Sequence, residues 1–276
     1  MSDPSSTDSR LTLARPDLAD AALQGLVRAE RFDKTQAMHC AVSAAAIRRE
    51  PDKAAEQIDQ LLFGETFRVL ESQGGWGWGQ ADRDGYVGHV RLEELRPGVA
   101  AASHRVSALR AYAFARPDIK SRPLALLSVG ALVSAEAEDG KFLKAEGSGW
   151  IPAVQLAPIG LYETDPAAVA ERFLGAPYQW GGRESLGLDC SGLVQQALHA
   201  CGRFCPRDSD QQQALGRPVS LDELARNDLI FWKGHVGMML DAQRLLHANA
   251  FHMQVAIEPL AEAIARIGEP VAIKRP

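Results

Sequence analysis

Asp189-Cys190-Ser191-Gly192-Leu193-Val194-Gln195-Gln196-Ala197-Leu198-His199-Ala200-Cys201 is the stretch that decides the fold of the C-terminal part of this chain. Cys190, Leu193, Val194, Ala197 and Cys201 recur at the spacing of one helix face. Gly202 follows as a stop signal. The spacing predicts a helix that starts at Cys190, the first residue of its apolar face. Upstream, Thr164-Asp165-Pro166 is a second helix start, with Val169, Phe173 and Leu174 on one face and Gly175 ending it. Downstream come three strand-like runs, Asp228–Trp232, His235–Leu240 and Leu245–Asn249. Helices followed by a β-meander predict an α+β domain with an antiparallel sheet.

A cysteine at a helix start is chemically distinctive. Free backbone N–H groups and the helix dipole favour negative charge there. A lowered thiol pKa is therefore expected for Cys190, and the thiolate is the nucleophilic form. Cys40, Cys201 and Cys205 have no helix start beside them and read as structural. The Cys201–Cys205 spacing lacks a second pair to complete a zinc site, so no metal and no cofactor is expected. His235 and His247, on neighbouring predicted strands, supply a base and a group to orient it. The two share a sheet face only if their connection has an odd number of residues or a bulge, and that case is expected.

Before Tyr162 the texture differs. Residues 37–158 alternate short β-like runs with Gly, Asp and Pro turns. Leu61-Leu62-Phe63-Gly64, Gly74-Gly75-Trp76 and Gly85-Tyr86-Val87-Gly88 are echoed by Leu126–Gly130, Gly140-Lys141-Phe142 and Gly149-Trp150-Ile151-Pro152. The offsets, 66 residues for Gly74 to Gly140 and 64 for Gly85 to Gly149, suggest two copies of one β-module. These runs resemble bacterial SH3-like domains. The second copy is degenerate, with Arg116-Pro117-Asp118 and Arg122-Pro123 in place of clear strands, and reads as a module or a spacer. Trp76 and Trp78 read as barrel core or as the lining of a groove. The expected division is an N-terminal arm over 1–36, SH3-like domains over 37–98 and 99–160, and the α+β domain over 161–276.

Composition excludes other classes. With 276 residues, 46% hydrophobic and 24% charged, the chain is an ordinary globular one. A formal net charge of −5 argues against nucleic acid as a partner. The longest uncharged run, the 16 residues Gly147–Tyr162, contains Pro152 and Pro158. It falls short of the ~20 apolar residues of a membrane span. The polar first residues show no secretory signal, so a reducing cytoplasm is the expected location.

Tyr178-Gln179-Trp180-Gly181-Gly182, Asp189–Gln195, Pro206-Arg207-Asp208, His235-Val236-Gly237-Met238 and Leu246-His247-Ala248 together resemble the NlpC family of papain-like cell-wall peptidases. The resemblance spans about residues 163–275. It implies a papain-like catalytic domain with Cys190 as nucleophile, His235 as general base and acid, and His247 orienting His235. It also implies hydrolysis of peptidoglycan peptides at the bond between γ-D-glutamate and a diamino acid. Two SH3-like modules before such a domain resemble the cytoplasmic branch that recycles murein tri- and tetrapeptides. That branch recognises a free N-terminal L-Ala, for which Tyr178, Asp189, Ser191 and Tyr86 are the matching positions. An ammonium group is held by a carboxylate and neutral acceptors. Asp189 also fits a plain N-cap, Tyr86 a barrel-rim residue, and Glu65 either an acidic contact or a surface turn. An amidase or acyltransferase using the same Cys–His pair, and a wall-binding adaptor with an inactive peptidase domain, are the competing readings.

Overall fold

The computed structural model describes residues 8–276, which group into two compact units. One runs through Arg105 and includes 112–127 and 131–154; the other comprises 106–111, 128–130 and 155–276.

In the first unit a seven-stranded antiparallel sheet is built from β1 (Gln36–Cys40), β2 (Ala44–Arg48), β3 (Gln57–Leu62), β4 (Thr66–Gln73), β5 (Trp76–Ala81), β6 (Val87–Arg91) and β7 (Leu95–Pro97). Its order is β3-β2-β6-β5-β4-β1-β7. Alternate residues such as Phe67 and Val69 point into a core with Ile47, Leu61, Val90 and Leu95. Gly79 on β5 lies against the Arg68 carbonyl of β4 so closely that a Cβ there would collide with it. The N-terminal arm carries two three-residue strands, Leu18–Asp20 and Arg31–Asp33, and buries Leu13 and Leu18 against Trp78 and Val87. Trp76 and Trp78 are each 6% exposed, as core residues are, and each lies under a guanidinium, Arg91 and Arg15 respectively.

The degenerate second repeat is a folded sheet, not a spacer. It is formed by β8 (Arg110–Phe114), β9 (Pro123–Ser128), β10 (Ala135–Asp139), β11 (Phe142–Ala145) and β12 (Gly149–Pro152), in the order β9-β8-β12-β11-β10. The prolines that obscured it lie in and at the end of the β8–β9 connection. There the Ser121 hydroxyl bonds the backbone of Arg116 in both directions.

The second unit contains α1 (Pro166–Glu171), α2 (Cys190–Ala200), α3 (Ser209–Gln212), β13 (Leu229–Trp232), β14 (His235–Met239), β15 (Arg244–Asn249), β16 (Gln254–Pro259), α4 (Leu260–Ile267) and β17 (Ala272–Arg275). The six-stranded sheet runs β17-β13-β14-β15-β16, with the two-residue strand Arg217–Pro218 on the outer edge of β17, every pair antiparallel. Helix α2 packs on one face, against Val236, Met238, Leu246 and Ala248. Helix α4 covers the other, with Leu260 and Ala263 on Ile230, Met239 and Leu245. This is the expected α+β layering.

Two local readings change. Helix α1 ends by Glu171, so Leu174 lies past it and is exposed, while Val169 and Phe173 are buried. Helix α2 is buried on its polar side as well. The amides of Gln195 and Gln196 donate there to the carbonyls of Cys205 (3.2 Å) and Arg183 (2.5 Å). Among the described residues no helix is long and apolar enough to cross a membrane.

Candidate functional site

The start of α2 is fixed by Asp189. Its Oδ1 accepts the Gly192 amide at 2.8 Å, which is an N-cap. Oδ2 accepts the Gly181 amide at 2.9 Å and ties the preceding loop to the helix. Arg207 closes the arrangement as a two-pronged ion pair, Nη1 to Oδ1 at 3.0 Å and Nη2 to Oδ2 at 2.6 Å. The Ser191 hydroxyl donates to Asp189 at 3.2 Å and accepts from Arg207 at 2.9 Å. Gly192 is required here, because a Cβ would strike the Gly182 carbonyl. Asp189 and Ser191 are thus knit into a buried network, and an ammonium reaching Asp189 would share oxygens with donors already present.

Cys190 is 6% exposed on this scaffold. The backbone amides of Val236 and Ser191 direct hydrogen bonds to its sulfur, which places the thiol beside the first residues of β14. The expected depression of its pKa does not occur. Burial, with Asp189 adding to it, pushes the thiol up to about 12, and the two amides and Arg207 offset only part. The helix-start argument omitted the dry surroundings and the neighbouring carboxylate. Cys40 shows the same effect of burial, also to about 12.

The histidines meet as parity required. Met238 pairs with Leu246 and Met239 with Leu245, and the Leu240 amide bonds the Arg244 carbonyl. Three residues, 241–243, remain in the connection, an odd number. His235 and His247 therefore share a face, with His235 Nε2 2.8 Å from His247 Nδ1. Burial, then the neighbouring charges of His247 and Arg266, depresses His235 to about 4. Cys190 and His235 are accordingly a neutral thiol and a neutral imidazole near pH 7. Iodoacetamide labelling of Cys190 in the ligand-free protein is expected to be slow at pH 7. It should keep rising above pH ~9, since a raised thiol pKa delays the thiolate to higher pH. A plateau already reached by pH ~7, read by peptide mass spectrometry, would contradict it.

Tyr178 belongs to the same neighbourhood. Burial raises its hydroxyl pKa, and the charges of Cys190 and Asp189 add to the rise. Its backbone amide is tied to the Met253 carbonyl at 3.0 Å. Tyr86 and Glu65 belong to the first unit. Tyr86 is 4% exposed there, and the Glu65 carboxylate accepts the Leu62 amide at 3.0 Å and pairs with Arg83.

Sequence reasoning gave no role to Arg207, although it lies in a quoted motif, and missed Glu258 and Arg266. Glu258 Oε1 is 2.6 Å from His247 Nε2, and Arg266 of α4 grips its carboxylate. The ligating atoms of His247, His252 and Glu258 lie within 4.8 Å of one another. The Arg266 guanidinium already occupies that carboxylate, and its charge opposes a cation there, so the three do not fit a metal centre.

The NlpC/P60 family matches residues 175–266, and the bacterial dipeptidyl-peptidase Sh3 domain matches residues 47–95. The chain is 28% identical over 226 residues to the gamma-D-glutamyl-L-lysine dipeptidyl-peptidase of Bacillus subtilis (strain 168), covering 74% of this chain and 76% of that protein. It is 24% identical to dipeptidyl-peptidase 6 of Lysinibacillus sphaericus, covering 77% and 88%. An NlpC/P60 family protein from Bacillus cereus ATCC 10987 shares the fold, with a TM-score of 0.76 at 20% identity over 87% of this chain and 99% of that one. With Cys190 at a helix start and His235 hydrogen-bonded to His247 on neighbouring strands, all within the matched span, this chain carries an NlpC/P60 cysteine-peptidase domain, and a bacterial SH3-like domain stands before it.

Proposed function

We propose that this chain hydrolyses the γ-D-glutamyl–diamino acid bond of released peptidoglycan peptides that carry a free N-terminal L-Ala. The observation that carries the mechanism is the His235–His247 hydrogen bond at 2.8 Å together with the Cys190 sulfur held by the backbone amide of Val236, the residue after His235. His235 takes the Cys190 proton as the sulfur attacks the carbonyl carbon, so no preformed thiolate is required. A helix-start N–H, that of Cys190 itself in this reading, steadies the oxyanion. The imidazolium returns its proton to the leaving amine, which departs and leaves a thioester. His235 then deprotonates water, the thioester is hydrolysed, and the thiol is restored.

The relatives named as γ-D-glutamyl and dipeptidyl peptidases support the bond and the substrate class. Tyr178, with Asp189 and Ser191 behind it, is the group of polar side chains assigned to the amine. Action on recycled peptides places the chain in a reducing cytoplasm, which cell fractionation would test.

The free-amine preference is tested with L-Ala-γ-D-Glu-diaminopimelate and its N-acetylated form. A lost charged hydrogen bond corresponds to roughly 10- to 100-fold in kcat/KM in favour of the free amine. Equal rates would remove the recycling assignment and leave a general wall-peptide hydrolase.

A further inference from the structure

The hydrogen bonds behind His235 continue past His247 and end on a carboxylate. His235 on β14, His247 on β15 and Glu258 on β16 share one face of three successive strands, since Leu245 pairs with both Met239 and Glu258. The distances are 2.8 Å from His235 Nε2 to His247 Nδ1 and 2.6 Å from His247 Nε2 to Glu258 Oε1. Arg266 holds both oxygens of Glu258, Nη1 on Oε2 at 2.8 Å and Nη2 on Oε1 at 2.5 Å. Glu258 is 7% exposed and His247 fully buried, so water does not substitute for either partner.

The direction of these bonds follows from their far end. Arg266, with His247 adding to it, keeps the Glu258 carboxyl below the usual carboxylate range, so it is ionised. An ionised carboxylate only accepts. The hydrogen between Glu258 and His247 therefore sits on His247 Nε2. Burial disfavours the charged form of His247, which leaves a lone pair on its Nδ1. That lone pair faces His235 Nε2, so the second hydrogen sits on His235 Nε2. In a neutral imidazole the other nitrogen, His235 Nδ1, is then bare.

We propose that Glu258, held by Arg266, is a positioning residue that sets the tautomers of His247 and His235 and leaves His235 Nδ1 free to take the Cys190 proton. The inference rests on Cys190 and His235 acting as nucleophile and base. The charged or titratable groups acting on this chain of bonds from neighbouring elements are Arg266 from α4 and His252 from the β15–β16 turn. Glutamine at 258 offers an amide N–H where only acceptors stood. It must either turn that donor against the Arg266 guanidinium or present it to His247, reversing both tautomers.

The test is imidazole 15N–1H correlation on the full, histidine-labelled protein at pH 7. The signals are assigned by their loss in His235→Gln and His247→Gln. The wild type should show the Nε2–H form for both residues. In Glu258→Gln the Nδ1–H form of His235 should appear. At the same time kcat should fall by up to about 10⁴-fold, the scale expected when a catalytic histidine loses its tautomer, with KM within about twofold. Glu258→Asp should restore the Nε2–H signal and recover at least about a tenth of kcat. A wild-type His235 in the Nδ1–H form overturns the proposal, and so does Glu258→Gln with unchanged tautomers and kcat. The wild-type spectrum decides the matter even if a variant does not fold. It needs no substrate, whereas failure of the peptidase mechanism itself would show as undiminished hydrolysis by Cys190→Ala.

Discussion

Cys190→Ala is expected to lower turnover of L-Ala-γ-D-Glu-diaminopimelate by about 10⁴-fold or more, with the fold and peptide binding retained. The size of the loss follows from the arrangement. Covalent attack is the only step for which the site provides a nucleophile, and the Val236 and Ser191 amides converge on this sulfur. His235, left without the thiol, can still deprotonate water, but nothing holds that water where the sulfur stood. Only the modest catalysis of binding and oxyanion contacts remains. Replacement by alanine removes a single sulfur atom from a well-packed position, so thermal unfolding should change little. Cys201→Ser, at a half-exposed position on the end of α2, should leave the rate intact. Product release is followed by chromatography of the freed diamino acid. Residual turnover above about 1% of wild type would show that Cys190 is not the nucleophile.

Arg207→Met is expected to cost about 3–5 kcal/mol of stability in the C-terminal unit, the range for removing one partner of a buried ion pair. Arg207 is 1% exposed and Asp189 is 5% exposed. The guanidinium neutralises the Asp189 carboxylate, bonds the Ser191 hydroxyl and approaches the Gly182 carbonyl at 3.4 Å. Without it, a buried carboxylate remains with only backbone amides and one hydroxyl. Thermal unfolding should drop by about 10 °C. The paired variant Asp189→Asn with Arg207→Met should recover part of that loss, since no unpaired charge is left behind. A drop below about 1 kcal/mol in urea unfolding would mean that the ion pair contributes no net stability. Activity should fall with stability here, because the same bonds set the first turn of α2.

Much of the site was legible because its signals are local. Asp189 caps the very helix that Cys190 opens, and an N-cap needs only residues a few positions apart. The strands carrying His235 and His247 were marked by their apolar runs and by the turn between them. Past residue 250 the reading stopped. Gln254–Pro259 is a strand and Leu260–Ile267 a helix, yet Glu258 breaks the apolar pattern because it is a buried charge paired to Arg266. In the second β-module, Pro117 and Pro123 looked like disruptions, whereas they sit where the chain turns between β8 and β9.

The amino-acid sequence by itself determined the fold classes, β-rich SH3-like and α+β, the helix start that seats Cys190, and the two histidines of the sheet. Each depends on periodicity, capping or turn chemistry within about a dozen residues. Only the tertiary structure decided that three residues separate the histidine strands, that Arg207 neutralises Asp189 from 18 positions away, and that Glu258 and Arg266 polarise His247. It also reversed the ionisation expected for Cys190. Charge states depend on burial and on partners brought together from distant segments, and those are properties of packing that no local pattern encodes.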